Sequence, residues 1–176
     1  MQPFVHLHVH SQYSLLDGQA SIARLVDKAI DDGMRALALT DHGVMYGIKD
    51  FVNYVNKKNG PVKSKIKKLE SELKKIQKLS LNNPPTEENR ILEQQLIEQL
   101  AETKEKLFKP IIGCERYVAR RDRFQQKDKI DGSGWHLVVL AKNFKGYQNL
   151  IKMVSIGWTE GFYYRPRIDK ELLEKY

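Results

Sequence analysis

Phe4-Val5-His6-Leu7-His8-Val9-His10-Ser11 places a histidine at every second position near the start of the chain. Side chains alternate between the faces of an extended strand, so the spacing predicts His6, His8 and His10 on one face and Val5, Leu7 and Val9 on the other. Neutral imidazole is the commonest protein ligand for zinc and related ions, and two of them two residues apart reach one ion or two adjacent ions. A metal site is therefore favoured over the alternative of three hydrogen-bonded core histidines. An affinity tag is set aside because it would be an uninterrupted run of histidine.

Working outward, Tyr13-Ser14-Leu15-Leu16-Asp17-Gly18 reads as a loop closed by a turn at Asp17-Gly18. Ser21 then caps a helix whose apolar residues Ile22, Leu25, Val26, Ala29 and Ile30 lie on one face, and Gly33 supplies a left-handed stop. Ala36-Leu37-Ala38-Leu39-Thr40 is a short apolar run suited to a strand buried on both faces of a parallel sheet, and it leads into Asp41-His42-Gly43. Strand, helix, strand is one βαβ unit with an expected right-handed crossover. Sites in such folds lie beyond the carboxyl ends of strands, where His10 and His42 both fall.

A second helix carries Ile48, Phe51, Val52 and Val55 on one face and is expected to stop at Asn59-Gly60. From Val62 to Leu79 the seam residues Ile66, Leu69, Leu73 and Ile76 step by three and four. Asn82-Asn83-Pro84-Pro85 breaks the pattern, Thr86 caps a further helix, and Leu92, Leu96, Leu100 and Leu107 form a matching stripe. Residues 57–79 hold nine Lys and two Glu, a net of +7, and residues 87–106 hold six Glu against Arg90, Lys104 and Lys106, a net of −3. A basic helix beside an acidic one, each with a narrow apolar stripe, predicts an antiparallel helical hairpin, with a docking surface for a partner helix as the alternative.

Pro110-Ile111-Ile112-Gly113-Cys114-Glu115-Arg116-Tyr117-Val118 reads as a strand with a carboxylate inside it. An ionised Glu in an apolar strand is costly unless paired or bound to metal, so Glu115 is a functional candidate; the other reading is an edge-strand Glu facing water. Residues 119–134, basic and ending in Gly132-Ser133-Gly134, are expected to form a polar, mobile loop. Trp135 to Ala141 is another strand with His136 at its start, which fits the carboxyl-end rule only if this strand runs opposite to the others. Tyr147, Leu150, Ile151 and Val154 mark a helix, Gly161 to Arg167 reads as an aromatic and basic loop, and Asp169 caps a last helix.

The 176 residues suffice for one good-sized core, and 41% hydrophobic with 30% charged residues describes a globular protein with a large polar surface. The single cysteine, Cys114, excludes an internal disulfide and fits a reducing cytosol. No apolar run approaches the roughly 20 residues of a membrane span, and Met1 is followed by a strand pattern, so a cytoplasmic location is expected. The net charge of +8 invites nucleic acid as a partner, but residues 57–79 account for most of it. A lysine-rich helix face is more often simply solvated.

His8-Val9-His10-Ser11, then Asp17-Gly18, then Thr40-Asp41-His42-Gly43 resemble the first motifs of the polymerase and histidinol phosphatase (PHP) superfamily. The wider set, including residues 109–118, 136–150 and 161–169, is similar to the amino-terminal PHP domains found in alpha subunits of bacterial replicative DNA polymerases. The resemblance covers nearly the whole chain except residues 61–109.

That resemblance implies metal ligands at His8, His10, Asp17, His42, Glu115 and His136. His6 matches an outer position, and Asp41 matches a place where a carboxylate can orient the neighbouring ligand imidazole through its second nitrogen. The ligand set suits two or three divalent ions, zinc ahead of manganese or iron.

The implied fold is α/β, a partial PHP-type distorted (β/α) barrel with an inserted antiparallel helical hairpin. Its parts are 1–60 as the first part of the PHP domain, 61–109 as the hairpin and 110–176 as the continuation. The later ligands and the polymerase carboxylates of the family have no counterpart, so the chain is expected to be an amino-terminal piece of a longer DNA-directed DNA polymerase subunit. No residue of it is assigned to polymerisation. The expected chemistry is phosphoester hydrolysis of the 3′ to 5′ exonuclease kind. The alternatives are a free-standing phosphatase, or a non-catalytic scaffold that docks a proofreading nuclease. The implied partners are DNA, through the full-length subunit, and other replicase subunits including a proofreading exonuclease, with no membrane.

Overall fold

β2, Lys109–Ala119, is the strand on which the sheet is assembled. Its first four residues pair in parallel with β1, Ala36–Leu39, whose side chains are all buried as its unbroken apolar run requires. From Gly113 to Ala119 it pairs antiparallel with β3, Gly134–Leu140. At Tyr117 and Val118 it also pairs in parallel with β5, Arg165–Ile168, which is joined antiparallel to β4, Phe162–Tyr163. A further parallel bridge joins His42 to Glu115. Since β3 occupies one edge of β2 from residue 113 onward, the segment after β1 and then β5 must share the other. Glu115 thus sits between two neighbours at the middle of the sheet.

This computed structural model describes residues 4–15, 17–82, 86–127, 129–132 and 134–176. Met1, Leu16, Asn83, Pro84, Pro85 and Ser133, named in the sequence reading, lie outside them.

Helix α1, Ile22–Asp31, begins where Ser21 accepts a hydrogen bond from the Arg24 N–H, and it buries Ile22, Val26 and Ala29. Gly33 follows at φ +76°, where a side chain would be strained. α2 is Ile48–Lys58, α5 is Phe144–Thr159 capped by Asn143, and α6 is Lys170–Lys175 capped by Asp169. Cys114, Leu150 and Met153 form a buried cluster joining β2 to α5.

Residues 1–54 and 109–176 make one compact unit and residues 55–108 another. In the second, α3, Gly60–Asn82, packs on α4, Glu87–Glu105, through buried Leu69, Ile76 and Leu96. Gln77 donates to Glu93 and Lys104 pairs with Glu70, so late residues of α3 meet early residues of α4. Gly60 is no left-handed stop: it opens α3, and the adjacent Asn59 turns its buried amide to both the N–H and the carbonyl of Phe108. The amide serves as a clasp between the beginning of one helix and the end of the next.

Two other expectations are corrected. The described residues of 119–134 are tied down rather than left as a free loop, because Arg123 binds the buried Asp169 carboxylate and the Arg167 guanidinium donates to the carbonyls of Arg123, Gln125 and Asp131. Residues 161–167 hold two strands where an aromatic and basic loop was expected. Pro166 is compatible with β5 since its carbonyl alone is needed, and it accepts from Arg116.

Candidate metal centre

The histidine stretch runs beside β1 but is not a regular strand. The Ala38 N–H donates to the His6 carbonyl at 2.9 Å, and the Thr40 N–H donates to the Val9 carbonyl at 2.8 Å. Two residues of β1 are therefore matched by three of the His segment, which bends at Leu7 and His8. The extra residue breaks the alternation as a bulge does and takes His6 out of phase with His8 and His10. Thr40, fully buried, then pins the segment, its hydroxyl accepting from the Val9 N–H at 2.8 Å. His6 packs edge-on against Phe4 and belongs to no ligand group among the described residues.

The loop after Ser11 is held by Asp41, and this corrects its expected role. Among the described residues the hydrogen bonds of this carboxylate go to Ser11 and Ser14 rather than to an imidazole. Its Oδ1 accepts from the Ser11 N–H and the Ser14 hydroxyl, both at 2.6 Å, and its Oδ2 from the Ser11 hydroxyl at 2.8 Å. Ser14 in turn accepts from the His42 N–H at 3.1 Å. Asp41 thus positions the loop that carries Asp17, and Asp17 Oδ2 comes to 2.7 Å from both His10 Nδ1 and His42 Nε2. Hydrogen bonds from these two imidazoles hold the Asp17 carboxyl below its usual range.

Glu115 is the hub. Its Oε2 lies 2.5 Å from His8 Nε2 and 3.1 Å from His10 Nε2, while Oε1 lies 3.1 Å from His42 Nδ1 and contacts His136 Nδ1. Burial alone would raise its pKa, but the hydrogen bond with His8 and the charges of His42, His136 and His10 outweigh that and hold the carboxyl down. β3 runs antiparallel to β2, so the start of β3 brings His136 alongside Tyr117, two residues beyond Glu115.

The structure thus gathers His8, His10, Asp17, His42, Glu115 and His136. They form three overlapping groups, His8–His10–Glu115, His10–Asp17–His42 and His42–Glu115–His136, with ligand atoms in each within 4.8 Å of one another. Imidazole nitrogen and carboxylate oxygen are donors suited to divalent zinc, manganese or iron. Cys114 is turned away, its one S–H within donating distance of the Asp41 and Val44 carbonyls and its thiol pushed up in pKa by burial.

Some supporting residues went unremarked in the sequence. Gly43, at φ +64°, presents a carbonyl that accepts from the Trp158 indole at 2.9 Å and from Arg116 at 3.1 Å. Tyr117 stacks on His42 and meets the His136 ring edge-on. The available signal was Arg116 beside Glu115, a second charge within an apolar strand; its guanidinium is fully buried on backbone carbonyls.

Residues 6–176 match the PHP domain family, and the chain belongs to that family. Among its relatives are proteins named DNA polymerase III subunit alpha. Those of Borreliella burgdorferi, Chlamydia pneumoniae and Aquifex aeolicus are 38%, 37% and 35% identical to it, each over 98% of this chain. The chain spans about a tenth of the length of these relatives, 11%, 10% and 11% respectively. No helix among the described residues is long and apolar enough to cross a membrane.

Proposed function

We propose that this chain is the PHP region of a DNA polymerase III alpha subunit and that its six gathered residues hold two or three divalent ions, zinc first, for phosphoester cleavage at a 3′ DNA end. The observation that carries this is the sharing of ligands: His10, His42 and Glu115 each belong to two of the three groups. Such sharing would suit two or three ions held side by side by a common set of imidazoles and carboxylates. Bound divalent ions supply Lewis acidity toward a phosphoester and a more acidic water.

The chain's own part is to fix the ligands. Glu115 gives each oxygen to a different pair of imidazoles, Asp17 links His10 to His42, and Asp41 holds the connecting loop through Ser11 and Ser14. In the same reading the α/β unit is part of a distorted (β/α) barrel. Its segments 1–60 and 110–176 belong to that barrel, and 61–109 is an inserted antiparallel helical hairpin. The location is cytoplasmic, and the partners are DNA and further replicase subunits, a proofreading exonuclease among them.

The test is elemental analysis of the untagged chain beside a His8→Ala, His10→Ala double variant, followed by hydrolysis of 3′-labelled DNA. Metal near stoichiometric amounts in the parent and lost from the variant is expected. Equal metal content in the two would overturn the assignment.

A further inference from the structure

A cavity of about 890 Å³ opens beside the centre, and Asp17, His42 and His136 line part of it. The rest of its lining includes Tyr46, Tyr117, Trp158, Phe162, Tyr164 and Arg165, residues that the ligand groups do not use. The volume lies within the range of small-ligand sites and is too small for a docked helix. Four of these aromatics are left open to solvent: Tyr164 is 76% exposed, Tyr46 68%, Phe162 48% and Trp158 42%.

Their arrangement is built. Trp158 and Phe162 stack at 5.4 Å between centroids with their planes 17° apart, and the Trp158 indole is anchored on the Gly43 carbonyl. Tyr164 stands between β4 and β5 at φ +59°, the one non-glycine residue with positive φ among those described. That conformation is unfavourable for a bulky residue, and such outliers gather at functional sites. Its ring meets Tyr163 edge-on at 4.7 Å between centroids and is otherwise open to solvent. Arg165 sets its guanidinium 4.8 Å over the Tyr117 ring, and Tyr117 itself touches His42 and His136.

Flat apolar faces and one cation, set beside the proposed phosphoester-cleaving centre, suit a nucleotide. We infer that the unpaired terminal nucleotide of a single-stranded nucleic acid occupies this cavity, its base stacked on the open aromatic side chains with Tyr164 as a principal contact, and its phosphate facing Arg165 and the ligand cluster. Stacking accepts every base, and a base free of its pair can turn into the cavity, whereas the last base of a blunt duplex offers only one face and is held by its pair. This rests on the proposed centre for the identity of the phosphoester, but its binding step is separable from metal.

The experiment measures binding by fluorescence anisotropy, using the full chain and a short single-stranded oligodeoxynucleotide. A matched strand with abasic sites at its 3′ end and a blunt duplex serve as comparisons. Metal content is recorded for every sample. The parent should prefer the base-bearing strand, and Tyr164→Ala and Tyr46→Ala should weaken that strand by roughly five- to hundredfold while leaving the abasic strand and the metal content unchanged. Tyr164→Phe should restore binding, which a role through the hydroxyl would not. A ribo-oligonucleotide arm identifies the sugar, and base preference on either backbone supports the inference. Equal binding of base-bearing and abasic strands by a metal-loaded chain would overturn the stacking site and leave the centre standing. Base preference in a chain that binds no metal would do the reverse.

Discussion

Glu115 Oε2 lies 2.5 Å from His8 Nε2, although 107 residues separate the two in the chain. The carboxylate is 2% exposed and the imidazole 53% exposed, so the contact joins the middle of the sheet to its open end. Replacing Glu115 with Gln preserves shape but removes the charge that two ligand groups share. Metal affinity should fall at least about tenfold, read by chelator competition. Unchanged affinity would reduce Glu115 to a hydrogen-bond acceptor.

Asp41 tests whether the loop, rather than the ligands, governs assembly. Asp41→Ala leaves the Ser11 N–H and the hydroxyls of Ser11 and Ser14 without their buried acceptor. A loss of about 3 kcal/mol in urea unfolding is expected, with lower metal content although no ligand is altered. Full metal content in the variant would show that the loop is held without this carboxylate.

At Gly43 a Cβ would lie 2.8 Å from Pro166 Cγ and 3.3 Å from the Tyr117 ring, at φ +64°. Gly33 is the control, since at φ +76° a Cβ there meets nothing within 4 Å. Gly43→Ala should cost about 2 kcal/mol and Gly33→Ala about 1 kcal/mol. Thermal midpoints compare them, and equal shifts would mean that β5 yields to the added methyl.

Acid should weaken the fold through Asp169. Burial alone would raise this carboxyl, but the N–H groups of Arg123 and Leu172 and then the Arg123 guanidinium hold it below its ordinary range. A lowered folded value means that its stabilisation is complete above the unfolded value of about 3.9 and is lost as pH falls through the folded one. Asp169→Asn should therefore be less stable at pH 7 and show a shallower decline below about pH 4. Parallel urea-midpoint profiles for parent and variant would exclude Asp169 as a source of the acid sensitivity.

Local chemistry made much of this chain readable. Ser21, Thr86 and Asp169 each cap the helix that follows, because a cap needs only its own side chain and the next three residues. The seam of Ile66, Leu69, Leu73 and Ile76 announced α3 for the same reason, since periodicity is a property of a single element. Local rules also misled where a distant partner intervened. Asn59-Gly60 looked like a stop until Phe108 engaged the Asn59 amide, and residues 119–134 looked mobile until Asp169 engaged Arg123.

The candidate site divides along the same line. Spacing and burial pattern named His8, His10, His42 and Glu115 as donors able to bind metal, because donor chemistry resides in single residues, and the resemblance to the PHP family added Asp17. Tertiary structure decided which donors meet. One extra residue between His6 and Val9, set against the two-residue step from Ala38 to Thr40, broke the alternation, and His6 joins no ligand group among the described residues. The direction of β3 brought His136 to Glu115, and the Ser11 and Ser14 contacts turned Asp41 from an imidazole partner into the anchor of a loop. Register, strand direction and loop closure are relations between segments far apart in the chain, and only packing sets them.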